Sequence, residues 1–99
     1  MKGNFETIIS SDVPVLVDFH AEWCSPCKMQ SPIMVDVAKE MGEKVKIIKI
    51  DVDRNPEIAG RYNIRSVPTI MLFKNSEVKF QQAGVQNKAK LITLVNPYQ

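Results

Sequence analysis

Ninety-nine residues, 44% apolar and 24% charged, make a chain long enough to bury roughly 60 to 70% of the surface it exposes unfolded, so no structural staple is required. Net charge is +2, with Lys and Asp or Glu interspersed and no basic cluster joined to aromatics, which excludes an electrostatic footprint for nucleic acid or an anionic membrane. No apolar run reaches the length of a membrane span, and the first ten residues lack the uninterrupted apolar core of a signal peptide, so a cytoplasmic protein is expected.

Along the chain there is no linker, low-complexity tract or repeat, and one domain over residues 1–99 is expected. Phe5, Ile8 and Ile9 form a short helical stripe. Val15 to Phe19 reads as a buried strand, apolar and β-branched except for Asp18. The spacing then predicts a helix from about Cys24 to Met41. Pro32 inside it removes one ladder hydrogen bond and predicts a kink, while apolar spacing continues through Ile33, Val37 and Met41 until Gly42 ends the helix.

Val45 to Val52 is a second strand, and Asn55-Pro56-Glu57 supplies a cap, a first-turn proline and a first-turn acid for a short helix to Tyr62. Strands at Thr69 to Phe73 and Val78 to Ala83 are joined so tightly at Asn75-Ser76 that they must form an antiparallel hairpin. A last helix covers about Asn87 to Val95. Strands separated by a long helix pair in parallel, so the sheet is mixed and the class is α/β with helices on the sheet's faces.

The two cysteines stand in Trp23-Cys24-Ser25-Pro26-Cys27-Lys28, where the strand gives way to the helix. Side chains at i and i+3 lie on adjacent turns, close enough for a reversible disulfide. The helix N-terminus lowers a thiolate's energy through its unpaired N–H groups and the positive end of the macrodipole. Cys24, nearer the helix start and beside Trp23, is the expected nucleophile; Cys27 lies one turn inward. In a reducing compartment a lone pair of this kind is catalytic or metal-binding rather than a permanent cross-link.

Each further candidate has two readings. Asp18 sits in a strand covered on both faces, where burial raises a carboxyl's pKa, so it can take the proton from Cys27; it can also be a strand-end carboxylate paired with Lys49 on the neighbouring strand, and the two readings are compatible because that lysine would tune the pair. Trp23 is either a core aromatic or, with Pro26, Val67, Gly84 and Val85, an apolar contact surface. Lys28 is a solvated first-turn lysine or an aid to thiolate formation. His20, the only histidine, can join the cysteines and a carboxylate as a zinc ligand, or neighbour the site and add pH sensitivity. Pro68 is trans on base rates, since only about one X–Pro bond in twenty is cis.

Val15-Leu16-Val17-Asp18-Phe19, Ala21-Glu22-Trp23-Cys24, Pro26-Cys27-Lys28, Ile50-Asp51-Val52-Asp53, Tyr62, Ile64-Arg65, Val67-Pro68-Thr69, Leu72-Phe73-Lys74 and Gly84 together resemble the thioredoxin family over nearly the whole chain. The resemblance implies a three-layer α/β/α sandwich around a central mixed sheet of four strands, the first edge strand of longer members being short or absent. It implies a cis bond before Pro68, with Val67 beside the thiols and its backbone free to pair with an extended substrate segment. It also implies a protein-disulfide reductase that binds no metal or cofactor itself, acts as a monomer on disulfide-containing proteins, and is re-reduced by an NADPH-dependent flavoprotein thioredoxin reductase.

Four positions depart from the family pattern: Ser25 for the usual Gly, His20 for an aromatic, Asn63 for Gly and Ser76 for Gly. Ser25 can donate a hydrogen bond to the Cys24 sulfur, which makes it, with Lys28, a candidate for tuning the reduction potential. Two other readings use the same residues: a binding module that docks a partner without turnover, and an oxidase or isomerase that differs only in redox poise. Replacing both cysteines by serine separates the first from an enzyme. Pro26 leans towards the reductase.

Overall fold

A computed structural model describes residues 2–99, with side chains from Asn4 onward. Helix α1 (Lys2–Ile9) leads into strand β1 (Val15–His20), followed by α2 (Ser25–Met41), β2 (Lys46–Asp51), α3 (Pro56–Arg61), β3 (Thr69–Lys74), β4 (Glu77–Ala83) and α4 (Lys88–Val95). Single 3₁₀ turns follow α2 at Gly42–Lys44 and α4 at Asn96–Tyr98. The strands form one sheet in the order β2-β1-β3-β4, with β1 parallel to β2 and antiparallel to β3, and β3 antiparallel to β4. Four strands are present and α1 runs directly to β1, so β2 forms an edge among the described residues.

Strand β1 is central, and every residue from Val15 to Phe19 is buried. Because successive side chains of a strand point to opposite faces, β1 splits into two sets. Leu16 packs with Ile70 and Leu72 against Met34, Val37 and Met41 of α2 and Leu91 and Val95 of α4. Val15, Val17 and Phe19 pack with Met71 and Phe73 against Phe5 and Ile9 of α1 and Ile58 of α3. The result is three layers. Asp18 and His20 share the parity of Leu16, so they face the α2 side, and that is what brings a carboxyl beneath the helix that carries the cysteines.

Element ends differ from the sequence reading by a residue or so, for local reasons. Cys24 is the N-cap of α2 rather than its first residue, with extended backbone (φ −96°, ψ 107°). Helix α2 runs through Pro32 to Met41, and Gly42 at φ +56° takes the turn out of it. Asn55 stands at the N-cap of α3 but does not cap with its side chain, whose amide instead donates to the Asp51 carbonyl at 3.0 Å; α3 ends at Arg61. The hairpin turn places Asn75 at φ +53° and Ser76 at φ +67°, the two positive values a type I′ turn requires. Its N–H groups are anchored to the end of α1, Ser76 donating to the Ile9 carbonyl and Asn75 to that of Ser11.

Candidate active site

At the N-terminus of α2, Cys24 and Cys27 are joined in a disulfide, with Cα atoms 5.3 Å apart. The Cys27 N–H donates to the Cys24 sulfur at 3.1 Å, so one of the helix's orphan donors is aimed at that atom. Pro26 in the first turn costs the helix nothing, because its missing N–H would have had no partner. Both cysteines are buried, packed with Ala21, Val52 and Val67. Burial therefore does not distinguish them; surroundings do. Cys24 is the sulfur that faces the helix N–H and lies 3.5 Å from the Val67 carbonyl oxygen, whereas Cys27 lines an open depression on the other side.

Val67–Pro68 is a cis peptide, as the resemblance implies and against the base rate for X–Pro bonds. The segment around it is held from both ends: the Thr69 hydroxyl donates to the Ser66 carbonyl at 2.7 Å, and the Gly84 N–H donates to the Pro68 carbonyl at 2.9 Å. Among the described residues the Val67 N–H has no backbone or side-chain acceptor.

The depression beside Cys27 has a volume of about 480 Å³ and is lined by His20, Ala21, Glu22, Cys27, Lys28, Ser31 and Lys49. Asp18 of β1 is fully buried, and among the described residues neither of its carboxylate oxygens has a hydrogen-bond partner. Burial holds its carboxyl above the usual Asp range, while the positive charges of His20 and then Lys49 pull it back. Asp18 and Lys49 are partners in the β1–β2 register, yet among the described residues the ion pair expected between them does not form. The Lys49 ammonium donates to the Ser31 hydroxyl at 2.5 Å instead. Among the described residues no three His, Cys, Asp or Glu side chains converge as metal ligands, so the zinc reading of His20 has no ligand set.

Around the disulfide, Trp23 is 71% exposed and Val85 40% exposed; Pro26 and Gly84 are also exposed, Val67 is half-buried and Pro68 lies beneath. Trp23 is thus not a core aromatic. Its indole N–H donates to Asp53 at 2.8 Å, which fixes the ring over a small apolar groove shared with Val52, Ile64 and Val67. Ser25 and Lys28 are exposed, and the Ser25 hydroxyl is not among the partners of the Cys24 sulfur.

Sequence reasoning missed Asp53, Ser31, Ile64 and the pair Gln30 and Gln86. Gln30 left a trace: it falls on the inward stripe Cys27, Gln30, Met34, Val37, Met41 of α2, where a polar residue is out of place.

Residues 1–97 match the thioredoxin family model. A thioredoxin of Rickettsia bellii is 52% identical over 91 residues, covering 92% of this chain and 87% of the relative, and one of Rickettsia felis is 53% identical over 89 residues, covering 90% and 85%. Among solved structures, a mutant thioredoxin from Halobacterium salinarum superposes with a TM-score of 0.89 at 34% identity, covering 97% of this chain and 83% of that one.

Proposed function

Because the chain belongs to the thioredoxin family and is a thiol-disulfide oxidoreductase, a protein-disulfide reductase working through Cys24 and Cys27, we propose roles for the groups around that pair. In the reduced protein the Cys24 thiolate, stabilised by the Cys27 N–H and the start of α2, attacks one sulfur of a protein disulfide. A mixed disulfide forms and one substrate thiolate leaves. Asp18 takes the proton of Cys27, whose thiolate then attacks the Cys24 sulfur, closes the Cys24–Cys27 bond and expels the second substrate thiolate. Two electrons have passed to the substrate, and its two thiolates are protonated by the proton returned from Asp18 and by solvent.

Lys49 and His20 set how readily Asp18 ionises, and Lys28 and Ser25, both at the mouth of the site, bear on the reduction potential. Trp23, Pro26, Val67, Gly84 and Val85, with the buried Pro68 supporting Val67 from beneath, form the surface on which an extended substrate segment docks, pairing with the Val67 backbone. The natural electron donor is an NADPH-dependent thioredoxin reductase, the protein acts as a monomeric single domain, and its compartment is the cytoplasm.

The observation that carries this reading is the Cys24–Cys27 disulfide closed at a helix N-terminus against Val67, above a buried carboxyl with no partner. The test is NADPH oxidation in the presence of a thioredoxin reductase and insulin. Steady turnover is expected from the native chain and none from the variant with both cysteines replaced by serine. Equal rates from the two would dispose of the mechanism.

A further inference from the structure

Gln30 is fully buried on α2, three residues beyond Cys27, among the apolar side chains that pack the helix onto the sheet. Its carbonyl accepts from the Gln86 N–H at 2.7 Å and its amide donates to the Gln86 carbonyl at 3.0 Å. One side chain thereby makes the two-bond exchange that a neighbouring strand would make, and it does so 56 residues away in sequence. Gln86 is itself buried, and its own amide turns back to the carbonyls of Ala83 and Gly84 at 3.0 and 3.1 Å. The segment between β4 and α4 carries Gly84, at φ +88°, and the exposed Val85. It has no regular secondary structure, and a Cβ at Gly84 would meet nothing within 4 Å. Apart from the Gly84 bond to Pro68, these four side-chain hydrogen bonds are what define its path.

We propose that Gln30 is a positioning residue for substrate specificity: it clamps the Gly84–Val85 docking loop to the helix that carries both cysteines, so that the loop is ordered before a protein disulfide arrives. This rests on the docking role given above to Gly84 and Val85. An apolar residue would pack that position of α2 equally well, and a buried amide is unfavourable there unless both of its ends are bonded, as they are. What the amide provides that a leucine cannot is directional attachment of backbone. A substrate that must touch the loop then meets it in place, and the ordering cost is removed from the binding step. A small disulfide that reaches only the sulfurs gains nothing from it.

The test compares Gln30→Leu with the native chain, using insulin as a protein disulfide and dithiobis(nitrobenzoic acid) as a small one, with amide exchange of residues 84–86 followed in parallel. The clamp predicts faster exchange at Gln86 and a KM for insulin raised roughly tenfold, the scale of re-ordering a short loop on binding, with kcat and the rate on the small disulfide held within about twofold. An unchanged KM overturns the proposal, as does an equal loss on both substrates, which would mark a disturbed dithiol instead. Should Gln30→Leu fail to fold, Gln30→Met, close to the native side chain in length but without the carbonyl and amide that hold the Gln86 backbone, is read by the same criteria. Val85→Asp separates this idea from the docking role beneath it: if Val85→Asp raises the KM and the clamp variants do not, only the clamp fails, and if Val85→Asp also leaves it unchanged, the docking role fails.

Discussion

Replacing Asp18 by alanine should make the protein more stable and less active at once. Its two carboxylate oxygens are buried without hydrogen bonds, and each such group costs about 1–3 kcal/mol relative to a satisfied one. Counting the carboxylate as one such group and subtracting a cavity penalty of about 1 kcal/mol for the deleted side-chain atoms, a net gain of up to about 2 kcal/mol is expected for Asp18→Ala near pH 8. The pH dependence fixes the sign. The folded carboxyl titrates above its ordinary value of 3.8, because burial disfavours the charged form. Below 3.8 it is neutral in both states and costs little. As pH rises through 3.8 and on to the raised folded value, the unfolded chain ionises first, so the native protein loses stability across that window and stays at the lower level above it. Urea melts of both proteins from pH 3 to pH 9 should therefore show nearly matching stabilities in acid and a gap in favour of Asp18→Ala that opens with pH. Turnover of insulin should fall roughly a hundredfold, the usual scale for losing one positioned general base. A gap that does not change with pH, or an alanine variant less stable than the native chain at pH 8, would refute the assignment of an uncompensated buried carboxyl.

Other variants follow from the same geometry. Lys49→Met removes a charge that lowers the Asp18 pKa, so the pH–rate profile for disulfide reduction should move to higher pH, which steady-state rates from pH 5 to 9 will show. Cys27→Ser should halt the reaction at the mixed disulfide, giving a Cys24-linked substrate adduct visible by mass under non-reducing conditions, whereas Cys24→Ser should give none. Ser76→Gly should raise stability by up to about 1 kcal/mol, and the melting temperature by about 4–8 °C, because Ser76 is held at φ +67° where a Cβ is crowded. A lower melting temperature for that variant would mean that the Ser76 hydroxyl contributes more than its backbone costs.

What could be read from the sequence was whatever depends on local periodicity or on neighbours in the chain. The alternation of apolar segments located all four strands and the helices between them, and the i, i+3 spacing at a strand–helix junction located the disulfide, because both signals are set by backbone repeat lengths. The antiparallel pairing of the hairpin at Asn75-Ser76 followed from the shortness of its turn. Contacts across the sheet were another matter. Asp18 and Lys49 do face one another in register, as two adjacent parallel strands make them, but the flexible lysine reaches Ser31 on α2 rather than the carboxylate, and no pattern in either strand encodes that choice. Asn55 failed similarly: residue type suggested a cap, while the approach of the Asp51 carbonyl redirected its amide. The cis peptide at Val67–Pro68 was available only through likeness to relatives, since no residue near Pro68 announces the isomer.

The distribution of buried polar groups shows why the chemistry sits where it does. Among the described residues the buried polar or charged side chains are Asp18, Gln30, Thr69 and Gln86, and all four adjoin the disulfide end of the sheet or the segments packed on it. The opposite end, built from Val15, Phe73, Val37, Leu91 and Val95, is apolar throughout. A core placed on such a footing can tolerate one uncompensated group where it has use for it. Three of the four polar side chains are hydrogen-bonded to backbone, Thr69 beside the cis proline and the two glutamines beneath the loop, so they fix the frame around the sulfurs. Among the described residues Asp18 alone is left unsatisfied, and burial raises its pKa, which is what the proposed proton transfer from Cys27 calls for. An ion pair with Lys49 would lower the Asp18 pKa further and oppose the uptake of a proton. In the proposed mechanism the missing ion pair is therefore the feature of this site that links burial to reactivity.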